Sequence, residues 1–199
     1  MRDITITRQV FTLDELSPAA RDTAIEKLRN DAYEYLPSEL ISQDLNGRLV
    51  ALLTGDDRGD IDDDYCKELT GINLEWSLSD RQGDGVAIYG KTSKELAPLL
   101  NWGAADSATL TRNSHGHHYT HQNCFDIELF DTNGDTVADG GELVKQLRGI
   151  CRTLERAGYE LITHLTSAEY VVQSMTYNTY ERQFNDDGTA APVEFLSER

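Results

Sequence analysis

Lysine is scarce in this chain, supplying five of its 18 basic residues, and 35 acidic residues leave a formal charge of −17. A surface of that sign repels nucleic acid and anionic membranes, so neither direct nucleic-acid binding nor membrane attachment is expected. No apolar run approaches the ~20 residues that span a bilayer. Cysteine is thin as well. Cys66, Cys124 and Cys151 are odd in number and lack C-x-x-C spacing. That argues against a disulfide framework or a structural zinc site and predicts single buried thiols. The opening "MRDITITRQVF" lacks the apolar stretch of a signal peptide, and the expected compartment is the cytoplasm.

What is present reads as a folded chain. Apolar residues make up 39% and charged residues 27% of 199 positions, enough for one well-buried domain. Residues 3–11 alternate as a strand, with Ile4, Ile6, Arg8 and Val10 on one face. Thr12 to Glu15 has the form of a capping box. Ser17-Pro18 places an N-cap and an N1 proline ahead of a helix whose stripe is Ala20, Ala24, Ile25, Leu28 and Ala32. Pro37-Ser38 ends it, and 39–53 starts a second amphipathic helix through Leu40, Ile41, Leu45, Leu49, Leu52 and Leu53.

Beyond it, "TGDDRGDIDDDYCKE" reads as a loop. "GINLEWSL" and "VAIYG" form a strand pair, Ser93–Leu99 a short helix with Ser93 as N-cap, and "SATLTRN" and "HYTHQNCFDIELF" further strands. A long helix is predicted from about Gly141 to Arg156, stopping at Gly158, and another after Thr166 or Ser167. The D-G pair in "RQFNDDGTAAPVEF" predicts a last hairpin. The expected fold class is therefore α+β: one domain over residues 1–199, an antiparallel sheet with helices packed against it.

Between "GINLEWSL" and "VAIYG" lies Gln82-Gly83-Asp84-Gly85. A Walker phosphate loop needs a lysine and a serine or threonine at the mouth of a helix, and here Val86, Ala87, Ile88 and Tyr89 follow on a strand. The dinucleotide fingerprint fails for the same reason. A hairpin turn whose glycines supply φ > 0 explains the run, with Asp84 folding back on local amides and an exposed tip open to recognition.

Two metal motifs are suggested and then weakened. His115, His117, His118 and His121 crowd within seven residues, near Cys124. If they lie on a strand, His117 and His121 share a face about 13 Å apart, too far for one ion. Asp131, Asn133, Asp135, Asp139 and Glu142 fall on calcium-loop positions, but Thr136 stands where the loop needs glycine. A β-turn at Asn133-Gly134 accounts for the same residues. No metal and no cofactor is expected. Nucleophilic catalysis lacks a G-x-S-x-G elbow and a Cys–His pairing, and no enzymatic activity is predicted.

The segments "FTLDELSPAARDTAIEKLR", "INLEWSLSDRQGDGVAIYG", "LTRNSHGHHYTHQNCFDIELF" and "CRTLERAGYELITHLTSAEYVVQSMTYNTYERQFNDDGT" occur in an order that resembles a family of small phage and prophage proteins. The likeness rests on the F-D-E-L-S-like start, the central Q-G-D-G turn, the Y-x-H strand and the C-terminal F-x-x-D-G, and covers most of the chain. It implies a mobile-element origin and a host cytoplasm, and brings no enzymatic activity with it. The aspartate run and the His-Gly-His-His cluster depart from the family pattern.

Asp56, Asp57, Asp60, Asp62, Asp63 and Asp64 put six charges on a segment that spans roughly 25–30 Å if extended. Together with Gln82 and Asp84 at the turn, they are the expected partner-binding residues. The expected partner is a basic host protein or nucleoprotein complex, inhibited by nucleic-acid mimicry in the manner of an anti-CRISPR or anti-restriction protein. A hydrolase or transferase with a site on the histidine strand and the Q-G-D-G tip is the first alternative. An acidic protein adapted to high salt, with no partner, is the second.

Overall fold

The computed structural model describes residues 9–79, 82–113, 119–138, 140–177 and 182–191. Its elements are α1 (Pro18–Glu34), α2 (Ser38–Thr54), α3 (Asp63–Thr70), β1 (Ile72–Ser77), β2 (Gly85–Ser93), β3 (Ser107–Arg112), β4 (Phe125–Phe130), α4 (Gly141–Leu165) and α5 (Ala168–Tyr177). The class is α+β, as the sequence predicts. Within it the chain forms two compact units, 37–161 and a second assembled from 1–36 with 162–199.

The larger unit carries the sheet, an antiparallel meander in the order β1-β2-β3-β4. Leu74 faces Ile88 and Trp76 faces Val86 across β1 and β2, while Leu110 faces Ile127 and Ala108 faces Leu129 across β3 and β4. Opposed residues share a face, so these pairs make one side of the sheet apolar. Trp76 donates its indole N–H to Ser42 Oγ at 2.9 Å, tying α2 to that side. Along α2, Ile41, Leu45, Leu49 and Leu53 are wholly buried. Along α4, Leu143, Leu147, Cys151 and Leu154 recur at helical spacing and are buried as well. Each such side chain is worth about 1.5–3 kcal/mol of burial, which makes the stripes the main stabilising term.

The smaller unit begins with Phe11 bridged to Phe184, then a 3-10 turn over Leu13–Glu15. The Glu15 carboxylate accepts the Thr12 amide at 2.8 Å, and this bond holds its pKa below the ordinary value. Ser17 Oγ accepts the Ala20 amide, capping α1 with Pro18 at N1 as predicted. Ala20, Ala24 and Leu28 pack with Val171 of α5 and with Phe184. Ser167 caps α5 through the Tyr170 amide. Phe184 also bridges Ala190, closing the predicted hairpin over the Asp187-Gly188 turn.

Four expectations change. Residues 63–70 are helical rather than loop. Ser93–Leu99 makes a single turn, closed by the Ala97 amide on the Ser93 carbonyl, because Pro98 has no amide to continue it. His121 to Cys124 is a turn, not strand, with the Cys124 amide on the His121 carbonyl at 2.9 Å. Gly158 does not end α4, which runs on to Leu165. A Cβ at Gly158 would collide with Leu78 Cδ1, so the glycine serves close packing in mid-helix. The predicted N-terminal strand lies mostly outside the described residues, of which only Phe11 is seen to pair.

Candidate functional site

The aspartate segment is not extended. α2 stops at Gly55, whose amide bonds the Ala51 carbonyl in a left-handed cap. The chain then turns back on itself. Thr54 Oγ1 accepts the Asp56 amide, Arg58 Nε donates to Asp56 Oδ2 at 2.7 Å, and Asp57 Oδ1 accepts the Gly59 amide at 3.1 Å.

The turn is fastened to α2. The Gly59 carbonyl lies where a Cβ on Gly47 would stand, so the helix must be bare at that position for the turn to sit down. The Ile61 amide bonds the Gln43 carbonyl, and the Ile61 side chain is buried. Asn46, itself 1% exposed, donates from Nδ2 to Asp63 Oδ1 at 2.6 Å and to the Ile61 carbonyl at 3.5 Å. A buried amide with two acceptors satisfies its donors and fixes the register of the strap against the helix. Asp62 then caps α3 by accepting the Tyr65 amide at 2.7 Å, with Asp63 and Asp64 in the first turn, where a helix favours negative charge.

The result is a ledge. All six aspartates are exposed on a backbone held from both ends. Asp56 alone among them forms an ion pair among the described residues, with Arg58. The side chains of Asp60 and Asp64 make no hydrogen bond or ion pair there. Residues 37–70 hold nine carboxylates against three basic side chains, so the local field is strongly negative.

The Q-G-D-G run is the predicted hairpin turn between β1 and β2, and its organisation differs from that of the ledge. Asp84 accepts from Ser77 Oγ at 2.7 Å, from the Ser79 amide at 3.0 Å and from Ser79 Oγ at 2.7 Å, so its carboxylate holds the loop together. Gln82 is exposed beside it. Gly83, at φ +90°, takes the ring of Tyr119 where a side chain would be, and the Thr120 amide bonds its carbonyl at 2.9 Å.

Tyr119 stacks on His121, with ring centroids 6.1 Å apart. His121 Nδ1 accepts the Asn123 amide at 3.1 Å, which leaves Nε2 as the proton-bearing nitrogen of the neutral ring. Beside the turn sits a residue that spacing did not flag. Glu155 of α4 has its Oε2 at 3.0 Å from where a Gly85 Cβ would be, and His121 Cβ is 3.2 Å from the same point. Burial raises the Glu155 pKa, with His121 and Arg152 pulling the other way. His115, His117 and His118 lie outside the described residues.

The 131–135 segment is the β-turn. The Asp131 amide bonds the Asp135 carbonyl, and Asp131 Oδ1 accepts the amides of Asn133 and Asp135 at 2.8 and 2.9 Å. These bonds hold the Asp131 pKa low. Asp139 lies outside the described residues. All three cysteines are free and buried, as predicted, and burial pushes Cys66 up to about 11 and Cys151 to about 12. Among the described residues no helix is long and apolar enough to cross a membrane. No family model, curated protein or solved structure matches the chain.

Proposed function

We propose that this chain is an acidic interaction protein of phage or prophage origin. It inhibits a host defence complex of the CRISPR or restriction type by occupying the basic groove in which that complex holds nucleic acid. The observation that carries the reading is the ledge. Its charges stand on a backbone fixed before any partner arrives, so binding does not have to pay for ordering a loop. A fixed array of carboxylates facing a phosphate-binding groove gives fast, steered association and strong salt dependence.

The test uses purified host effector complexes. The protein should block their nucleic-acid cleavage, compete with nucleic acid for binding, and lose affinity steeply as salt rises. Asp57→Asn, Asp60→Asn and Asp64→Asn together should weaken binding about tenfold or more at low salt. Circular dichroism should stay native, because exposed charges contribute little to stability. Binding indifferent to salt and to these three changes would discard the reading.

A second reading is favoured by one juxtaposition, the approach of His121 and Glu155 beneath the glycine turn. There a hydrolase or transferase would find an acid–base pair. Glu155→Gln and His121→Ala that abolish biological activity, while partner binding survives, would favour it.

A further inference from the structure

Beside the ledge, between α2, the 57–60 turn and α4, lies a groove of about 400 Å³. Ala51, Leu52, Leu154 and Ala157 give its lining an apolar part. Asp57 and Asp60 stand in its lining, and neither has an ion pair among the described residues. The lining's own cation, Arg48, is already taken. It donates to Asp44 at 2.7 and 3.1 Å, and that bond, with Asp60 and Glu160 nearby, raises its pKa. The groove therefore joins apolar walls to two carboxylates that form no direct ion pair among the described residues.

We propose that this groove receives an arginine side chain from the basic partner. The inference rests on the interaction reading above and names the partner group that the ledge engages. The methylene stem lies along Ala51, Leu52 and Ala157, as long cationic side chains do on apolar surface. The guanidinium meets Asp57 and Asp60. Arginine fits better than lysine because its planar fork serves two carboxylates at once and gives up water more readily than an ammonium. Arg48 on Asp44 shows a guanidinium held by two bonds on the wall of the groove, there to the two oxygens of one carboxylate. A groove that binds phosphates is lined by lysine and arginine, with arginine favoured where the contact is bidentate, so charge complementarity points to this occupant.

The experiment titrates the isotope-labelled full chain with three peptides of equal length, arginine-, lysine- and citrulline-containing, and follows the amide resonances. The arginine peptide should bind about tenfold more tightly than the lysine peptide, with shifts centred on Ala51, Leu52, Gly59 and Ala157. The citrulline peptide should not bind. Ala51→Phe fills the groove and leaves every charge in place; it should erase the arginine preference while salt-dependent attraction to cationic peptides persists. Leu52→Phe serves as the second plug should the first unfold the chain.

Equal affinity for arginine and lysine peptides would overturn the proposal, as would an undiminished preference in a folded plug variant. So would spermidine displacing the arginine peptide at equal concentration, which would assign the groove to a free small cation. Arginine selectivity on peptides, with no inhibition of any effector complex, would instead remove the reading of function and leave the groove standing.

Discussion

The ledge and the glycine turn are both short, polar and rich in aspartate, yet only the ledge leaves some of its carboxylates without a local bond. In the turn, Asp84 faces inward on Ser77 and Ser79 and holds the loop's shape. In the ledge, shape comes largely from Asn46, Ile61 and the bare backbone of Gly47, which lets Asp60 and Asp64 project without local duty. A carboxylate with both oxygens engaged in its own loop, like Asp84, is a poor contact; one that keeps an oxygen free, as Asp57 does, or both, as Asp60 and Asp64 do, is a better one. Counting aspartates does not distinguish the two cases. Following their hydrogen bonds does.

Gly47→Val should have the largest effect on this contrast. The new side chain meets the Gly59 carbonyl, a backbone group that cannot swing aside, so the strap must leave the helix. A loss of roughly 3 kcal/mol in urea unfolding is expected, the upper end for overpacking. Unchanged stability would mean the ledge is not fastened as described.

Gly83→Val comes next, at about 1–3 kcal/mol. It suffers a positive φ for a β-branched residue, but the obstruction is the Tyr119 ring, which can turn away. A larger loss here than at Gly47 would invert the ranking of the two regions.

Glu155→Gln is the smallest. Its folded pKa lies above the ordinary 4.5, so the folded state holds the proton more tightly than the unfolded chain. Stability is then greatest below the unfolded value and falls as pH rises from there through the folded pKa. Melting curves from pH 4 to 7 should show the variant gaining on the parent as pH rises, by a small amount because the carboxyl is only partly buried and solvent screens it. A constant difference would put Glu155 in bulk-like water.

Much of the fold was legible because it rests on local signals. Ser17-Pro18 at the start of α1, the leucine spacing of α2 and the alternation in β1 and β2 each state their element directly. The elements that depart from their local signals share a cause. Gly158 reads as a helix end until Leu78 is seen to need its space, and that contact is remote in sequence. α3 hides because aspartates that look like a solvated loop are, at 62–64, the cap and first turn of a helix. His121 reads as strand by alternation, while its own turn bonds govern it. Of the candidate site, the charge was visible and the fastening was not, because Asn46 and Gly47 carry no signal until the chain has folded back on them.

The three thiols have a consequence for how this molecule can be watched at work. Cys66 and Cys151 are buried and held protonated, so neither offers the thiolate that reagents attack. A labelling reagent therefore waits for the protein to open, and the rate of modification becomes a clock of that opening. Cys66 sits on α3 with its sulfur on the Asn46 carbonyl, directly behind the strap, and Cys151 lies on α4. Comparing their rates reports whether the strap lifts by itself or only when the whole domain lets go. It does so in the unaltered sequence, with no probe to engineer.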